Sequence, residues 1–424
     1  MPYSPYRPIT PVEWWRWRIV WLLFLATMLN YMDRQALNQT ATFVLDEFAV
    51  PIGERETVYG NIESAFAYSF AFFQIVAGFL ADRFRLTRLY LAALLIWSAA
   101  GFATGLVPAG AIAGLMICRV VLGFGEAFNW PCAVACVRRV VPRESRGLAN
   151  GIFHSGASIG ALATPLLVLA LVGPGGEGWR GLFLVVGAAG LVWAALWLYA
   201  TRGEPGRIID APPAADPDRP AGPDLPMYLV PALRVFWVMM AVGVTVNLCW
   251  HFFRIWFIRY QEKDLGISAD DRQWLMFGFF IAADLGSMGS GYVIRRLTRA
   301  GYSVERSRKL VLSGLAAVCL LAIPATQVPG IAAKMVLFFL VAAGSMGGFA
   351  IFFSLAQDIV PRHTAKILGI GGATSWAVIA IANQIVGPAA DSLGTFVPAI
   401  IAVSCVPLVG AVIGWLWPEP VRAS

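Results

Sequence analysis

The stretch LNYMDRQALN, Leu29 to Asn38, sets an aspartate beside an arginine, Asp33 and Arg34, directly after the unbroken apolar run IVWLLFLATML. A second group lies further on, where Arg119 and Glu126 stand seven residues apart with Gly123 between them, a spacing that puts both on one helical face. A third is Asn247, His251 and Arg254, whose i, i+4, i+7 spacing makes one polar stripe. Carboxyls in an apolar setting are open to proton exchange, because burial and a neighbouring guanidinium act on them in opposite directions. The planar fork of arginine suits recognition of a carboxylate or phosphate. Proton carriage by Asp33 and Glu126 beside anion binding by Arg34 is the functional expectation. The alternative is a buried network in which Asp33, Arg34, Arg119 and Glu126 only hold helices together.

The elements that position these groups follow from composition. The chain has 424 residues, of which 58% are hydrophobic and 13% charged, against about 25% charged in a soluble domain. Apolar runs near the ~20 residues needed to cross a bilayer recur along the whole length. They give twelve spans, at approximately 19–42, 57–81, 87–107, 111–137, 146–172, 180–201, 235–259, 272–294, 307–327, 332–357, 364–390 and 396–417. The fold class is therefore an all-α polytopic membrane protein. The start, MPYSPYRPITPVEWWRWR, is polar and basic with no small-residue cleavage site after the first apolar run, so it does not read as a secretory signal. Trp14, Trp15, Trp17 and Trp21 read as an interfacial belt.

With the N-terminus in the cytoplasm, roughly 23 of the 32 Lys and Arg fall on the cytoplasmic side, which is the positive-inside bias. The net charge of +7 is thus a matter of topology, not of nucleic-acid binding. The six cysteines all lie in apolar segments without a disulfide framework or metal-ligand spacing. No HExxH or GxSG motif speaks for an intramembrane enzyme.

Residues 202–230 form the one long polar, Pro-rich stretch, expected as a flexible cytoplasmic linker between a first half at 1–201 and a second at 231–424. The halves echo each other: PRESRGLANGI before span 5 is matched by PRHTAKILGIG before span 11, 219 positions later. The same offset carries Gly125-Glu126 onto Gly344-Ser345 and nearly carries Arg34 onto Arg254. Parallel six-helix repeats are the mark of a transporter that rocks one half against the other around a midplane site. At 1.5 Å per residue, Asp33 lies about 22 Å and Glu126 about 18 Å above the cytoplasmic edge, within about one turn of each other.

The loop GFLADRFRLTR, Gly78 to Arg88, resembles the loop motif of the major facilitator superfamily, with Arg85 where its glycine stands. NYMDR, the blocks RVVLGFGEAFNWPC and PRESRGLANGIFHSGASIG, and QDIVPRHTAKILGI resemble the anion:cation symporter family within it. That family includes bacterial galactonate and hexuronate carriers and animal sialic-acid and vesicular glutamate carriers. The resemblance implies two pseudo-symmetric six-helix bundles and proton-coupled symport of an organic anion, most simply a sugar acid such as an aldonate or hexuronate. It also implies proton carriage at the positions of Asp33 and Glu126 and anion binding at Arg34. The coupling ion is H+ or Na+, with no cofactor, and a functional monomer in the bacterial inner membrane with both termini cytoplasmic. Partners are the anion and membrane lipid. An organophosphate antiporter or a non-transporting sensor of the same fold are the alternatives.

Further candidates for the substrate site are Tyr31, Tyr68, Arg119, Asn129, His251, Ser354, Ser375, Trp376 and Asn383, each of which could equally serve helix–helix hydrogen bonding. Arg254 either completes a two-arginine clamp with Arg34 or pairs with Asp284 of span 8. Asp82, Arg83 and Asp358, with Gln357, belong to a cytoplasmic gate, and His154 and His363 carry no functional expectation.

Overall fold

A computed structural model describes residues 11–142, 145–211, 227–359 and 364–417. The described residues are helical and contain no strand. The first half consists of α1 (Pro11–Glu47), α2 (Arg55–Arg83), α3 (Leu86–Thr104), α4 (Ile112–Glu126), α5 (Asn129–Val140), α6 (Arg146–Leu171) and α7 (Trp179–Ala200). A short helix, α8 (Glu204–Asp210), follows. The second half consists of α9 (Arg234–Lys263), α10 (Ala269–Arg299), α11 (Val304–Cys319), α12 (Ala322–Gln327), α13 (Ile331–Ile359), α14 (Thr364–Leu393) and α15 (Val397–Gly414).

Span 4 is α4 plus α5, broken at Ala127 and Phe128, and span 9 is α11 plus α12. Eleven stretches are long and apolar enough to cross a bilayer, and α1 is the twelfth long one. At 37 residues α1 is ample in length; Asn30, Asp33, Arg34, Gln35, Asn38 and Gln39 dilute its apolar character. It also extends beyond the expected 19–42 at both ends, with Trp14 and Trp21 exposed on its first turns.

Two differences from expectation concern 202–230. Its first residues are not a free linker: α8 docks on the first half, with Ile209 fully buried. Asp210 accepts from Thr87 N and Oγ1 at 2.9 Å and so caps the start of α3. Its last residues form a short 3-10 helix, Met227–Ala232, against α9. Residues 212–226 lie outside the described residues.

The halves meet along two helix pairs, α2 with α14 and α6 with α10. These are spans 2 with 11 and 5 with 8, which a shift of six spans interchanges, as the internal repeat requires. Equivalent glycines sit at equivalent crossings. A Cβ on Gly125 would lie 2.8 Å from Trp97 N of α3, and one on Gly344 3.0 Å from Val318 of α11.

Between the halves, approach is closest at the end of the bundle where α1 finishes and α2 begins, here the far end. A Cβ on Gly60 would meet Asn383 O at 2.6 Å, and one on Gly387 would meet Glu56 O at 2.4 Å. Among the described residues, every hydrogen bond between the halves falls between the middle of the bundle and this end. Examples are Ser64 Oγ to Ala380 O at 2.8 Å and Tyr59 OH to Ile255 O at 3.3 Å. The far end is shut.

Candidate functional site

Arg34 is the centre of the site. It projects from the middle of α1, is 4% exposed, and its Nε donates to Glu126 Oε2 on the last turn of α4. Its guanidinium carbon lies 4.5 Å from the Phe70 ring centre, 5.2 Å from Phe66, and 5.3 Å from both Tyr31 and Trp376. A guanidinium is weakly hydrated and binds aromatic faces, so four rings hold it at a depth where water is scarce. Three of those rings belong to the first half and Trp376 to the second, so the cage straddles the division. Two polar atoms are left over: Arg34 Nη2 and Glu126 Oε1 are buried without a partner.

Asp33, one residue earlier, is rotated about 100° around the helix and faces α3 instead. Its carboxylate packs against Gly101, where an added Cβ would come within 2.5 Å of Oδ1. The glycine makes room for it. Both Asp33 oxygens are buried without a hydrogen bond. The two neighbours in NYMDR thus occupy different places: Arg34 faces the junction of the halves, and Asp33 lies inside the first half.

Arg119 does not share in binding Arg34's partner. Its Nη2 donates to Glu63 Oε1 at 3.2 Å, a buried pair between α4 and α2. Glu63 escaped the sequence reading, although an acid in the middle of the apolar segment NIESAFAYSF was a usable signal.

On the second half, Arg254 is 2% exposed. Its Nη1 donates to Gln35 Oε1 at 2.9 Å and its Nε to His251 Nδ1 at 3.0 Å. Among the described residues no carboxylate lies within ion-pair distance of it. The pairing with Asp284 is not formed; Asp284 accepts from Ser158 of α6 at 2.7 Å. His251 accepts at Nδ1, so that nitrogen carries no proton, and its ring lies 4.5 Å from Trp376. Trp376 is therefore shared by both arginine environments. Gln35, bridging Arg254 and Asn38 Nδ2, is a second residue the sequence reading missed. Its signal was its place one residue after Arg34.

The remaining candidates divide clearly. Tyr31 joins the Arg34 cage. Tyr68 lies between Phe66 and Phe70 in sequence but faces elsewhere, 40% exposed, with its hydroxyl on Gln384 at 3.0 Å. Asn129 accepts from Tyr90 OH at 2.7 Å and donates to Thr27 at 3.2 Å, tying α5 to α3 and α1. Asn383 accepts from Trp256 Nε1 at 2.9 Å, between α14 and α9. Ser354 and Ser375 donate to carbonyls of their own helices. Arg83 is exposed at the end of α2. The side chains of Asp82, Gln357 and Asp358, and residues Arg143, Pro361, Arg362 and His363, lie outside the described residues.

A second cluster, unread in the sequence, closes the far end. Arg259 grips Glu56 with Nε and Nη2 at 3.0 and 2.7 Å, and Glu262 with Nη1 at 2.6 Å. Glu262 also receives Arg272 Nη1 at 2.9 Å. Asp391 accepts from the Glu56 and Thr57 amides at 3.2 and 2.8 Å, near the start of α2. These residues stand at helix ends, where charge is ordinary, so their types alone carried no signal.

The chain is 26% identical to the hexuronate transporter of Bacillus subtilis (strain 168) over 89% of each chain. With the D-galactonate transporter of Escherichia coli O6:H1 it is 28% identical over 92% of each chain. The D-xylose-proton symporter has the same fold, with TM-score 0.75 at 17% identity over 96% of this chain and 99% of that one. So has an inward-facing, occupied bacterial homologue of the human lysosomal transporter Spinster, with TM-score 0.77 at 19% identity over 95% and 96%. Residues 23–383, most of the chain, match the family described as the Major Facilitator Superfamily, and the chain belongs to it.

Proposed function

We propose that the protein is a proton-coupled symporter of a sugar acid, working by alternating access between the halves at 1–201 and 231–424. The observation that carries this reading is the buried, half-satisfied pair of Arg34 and Glu126. The Glu126 carboxylate neutralises Arg34. An incoming substrate carboxylate competes for the same guanidinium, and two anions on one arginine repel each other. A proton on Glu126 removes that competition and releases the Arg34 fork to the substrate. Proton and anion therefore enter together and leave together, which is symport.

Asp33, buried beside α3 with neither oxygen bonded, serves as a second proton-binding carboxyl. Trp376 offers an aromatic face to the carbon skeleton. With the termini in the cytoplasm of a bacterial inner membrane, the shut far end is the outer one. The substrate class rests on the relatives at 26–28% identity, which are hexuronate and galactonate transporters. The carrier works as a monomer in membrane lipid.

The test is uptake into proteoliposomes under an imposed inward proton gradient, with galactonate, gluconate, glucuronate, galacturonate, galactarate, glutamate and glycerol 3-phosphate. Accumulation of a sugar acid that collapses with a protonophore is expected. Exchange of a phosphate ester indifferent to the gradient sinks the reading.

A further inference from the structure

We infer that the preferred substrate carries two anionic groups, one for each half of the protein, and is thus a dicarboxylic sugar acid rather than an aldonate or hexuronate. The inference rests on the proton-coupled reading above and adds a count of charges to it. Three guanidiniums are buried in the middle of the bundle: Arg34, Arg119 and Arg254. Arg119 is matched by Glu63 and Arg34 by Glu126. Arg254 has no carboxylate within ion-pair distance among the described residues; its bonds go to the neutral Gln35 oxygen and the His251 ring. A guanidinium out of water with no counter-charge is costly, and removing one partner of a buried pair is strongly destabilising for the same reason.

Once a proton neutralises Glu126, Arg34 joins Arg254 in lacking a counter-charge. The loaded site then holds two positive groups without partners, one on α1 of the first half and one on α9 of the second. Both adjoin the same wall, since Trp376 lies 5.3 Å from the Arg34 guanidinium and 4.5 Å from the His251 ring that Arg254 contacts. A monoanion leaves one of the two charges unmatched. A dianion matches both, and in doing so links the halves through itself.

Matched pairs differing in one carboxylate decide this: galactarate with galactonate, glucarate with gluconate, tartrate with glycerate. Binding is measured by calorimetry on the full chain in nanodiscs. At least one diacid is expected to bind about tenfold or more tighter than its monoacid partner. Arg254→Gln is expected to bring that ratio to about one. If that variant fails to fold, Arg254→Lys keeps the charge but loses the fork, and the ratio is expected to fall. Equal or tighter binding of the monoacids, or a ratio untouched by the Arg254 variants, overturns the inference and leaves sugar-acid transport standing. Failure of every acid in the panel to bind overturns both.

Discussion

Two buried arginine–glutamate pairs, Arg34 with Glu126 and Arg259 with Glu56, use the same chemistry to opposite ends. The Arg259 pair is saturated: both Glu56 oxygens take a nitrogen, and the third nitrogen is held by Glu262 and Thr42. It joins α9 to α2, across the division of the halves. The Arg34 pair lies within one half and is bonded at one point, with Arg34 Nη2 and Glu126 Oε1 unused. Buried polar atoms without partners are uncommon, and on the reading proposed above these two are where the substrate binds. The saturated pair must break whenever the far end opens, and the incomplete pair can change partners without the halves moving.

Removing Arg34 breaks this contrast most severely. Arg34→Ala is expected to lower substrate affinity by about a hundredfold or more, since one charge-assisted contact is lost and Glu126 is left buried and unpaired. Calorimetry with the transported acid reads it, and an affinity within threefold of wild type would refute the anion-binding role. Glu126→Gln keeps a hydrogen-bond acceptor for Arg34 but cannot cycle a proton. Gradient-driven accumulation should disappear while counterflow exchange continues; retained uphill uptake would remove Glu126 from the coupling path.

The far-end pair is tested by Glu56→Gln. Arg259 keeps Glu262, so the latch weakens and the protein still folds. Opening at the far end should become about tenfold more frequent, read as faster alkylation of a cysteine placed at Ser64 by an impermeant reagent. Gly60→Ala should act in the same direction with a smaller effect, because its new methyl meets the Asn383 carbonyl. No change in either variant would show that the pair does not govern closure.

A surface pair gives the smallest effect and calibrates the others. Glu47 at the end of α1 accepts from Arg180 Nη2 at 2.8 Å, and that hydrogen bond holds its carboxyl below the usual range. A lowered folded value means the contribution is present above the unfolded carboxylate pKa and is lost as pH falls through the folded one. Because the Glu47 side chain is 39% exposed, Glu47→Gln is expected to cost under about 1 kcal/mol, with uptake unchanged. Thermal unfolding in detergent at neutral and acid pH checks it; a larger loss at neutral pH would mean that buried and exposed pairs count alike here.

Much of this was legible in the chain. Apolar runs of bilayer length fix helices, because in lipid the backbone must satisfy its own hydrogen bonds, and the repeat of PRES and PRHT points to two related halves. Asp33, Arg34, Glu126 and Arg254 announced themselves because a charge inside an apolar run is costly and marks a buried pair or a site. Their partners did not. The sequence brought Asp33 and Arg34 together, and the helix turn separated them, one onto Gly101 and one onto Glu126 and four rings. It left Arg254 between substrate and Asp284, and the structure places Asp284 against Ser158 on α6 with no ion pair to Arg254. Tyr68 and Asn129 bond to Gln384 and Tyr90 and lie apart from the Arg34 cage. The far-end latch was invisible, since Glu56, Arg259 and Asp391 are ordinary residues for helix ends until two halves close on them. Sequence alone determined which segments are long and apolar enough to span the bilayer and which charges lie within them, because that follows from local hydropathy. Only the tertiary structure decided which of them meet, because that depends on helix rotation and on the packing of segments some two hundred residues apart.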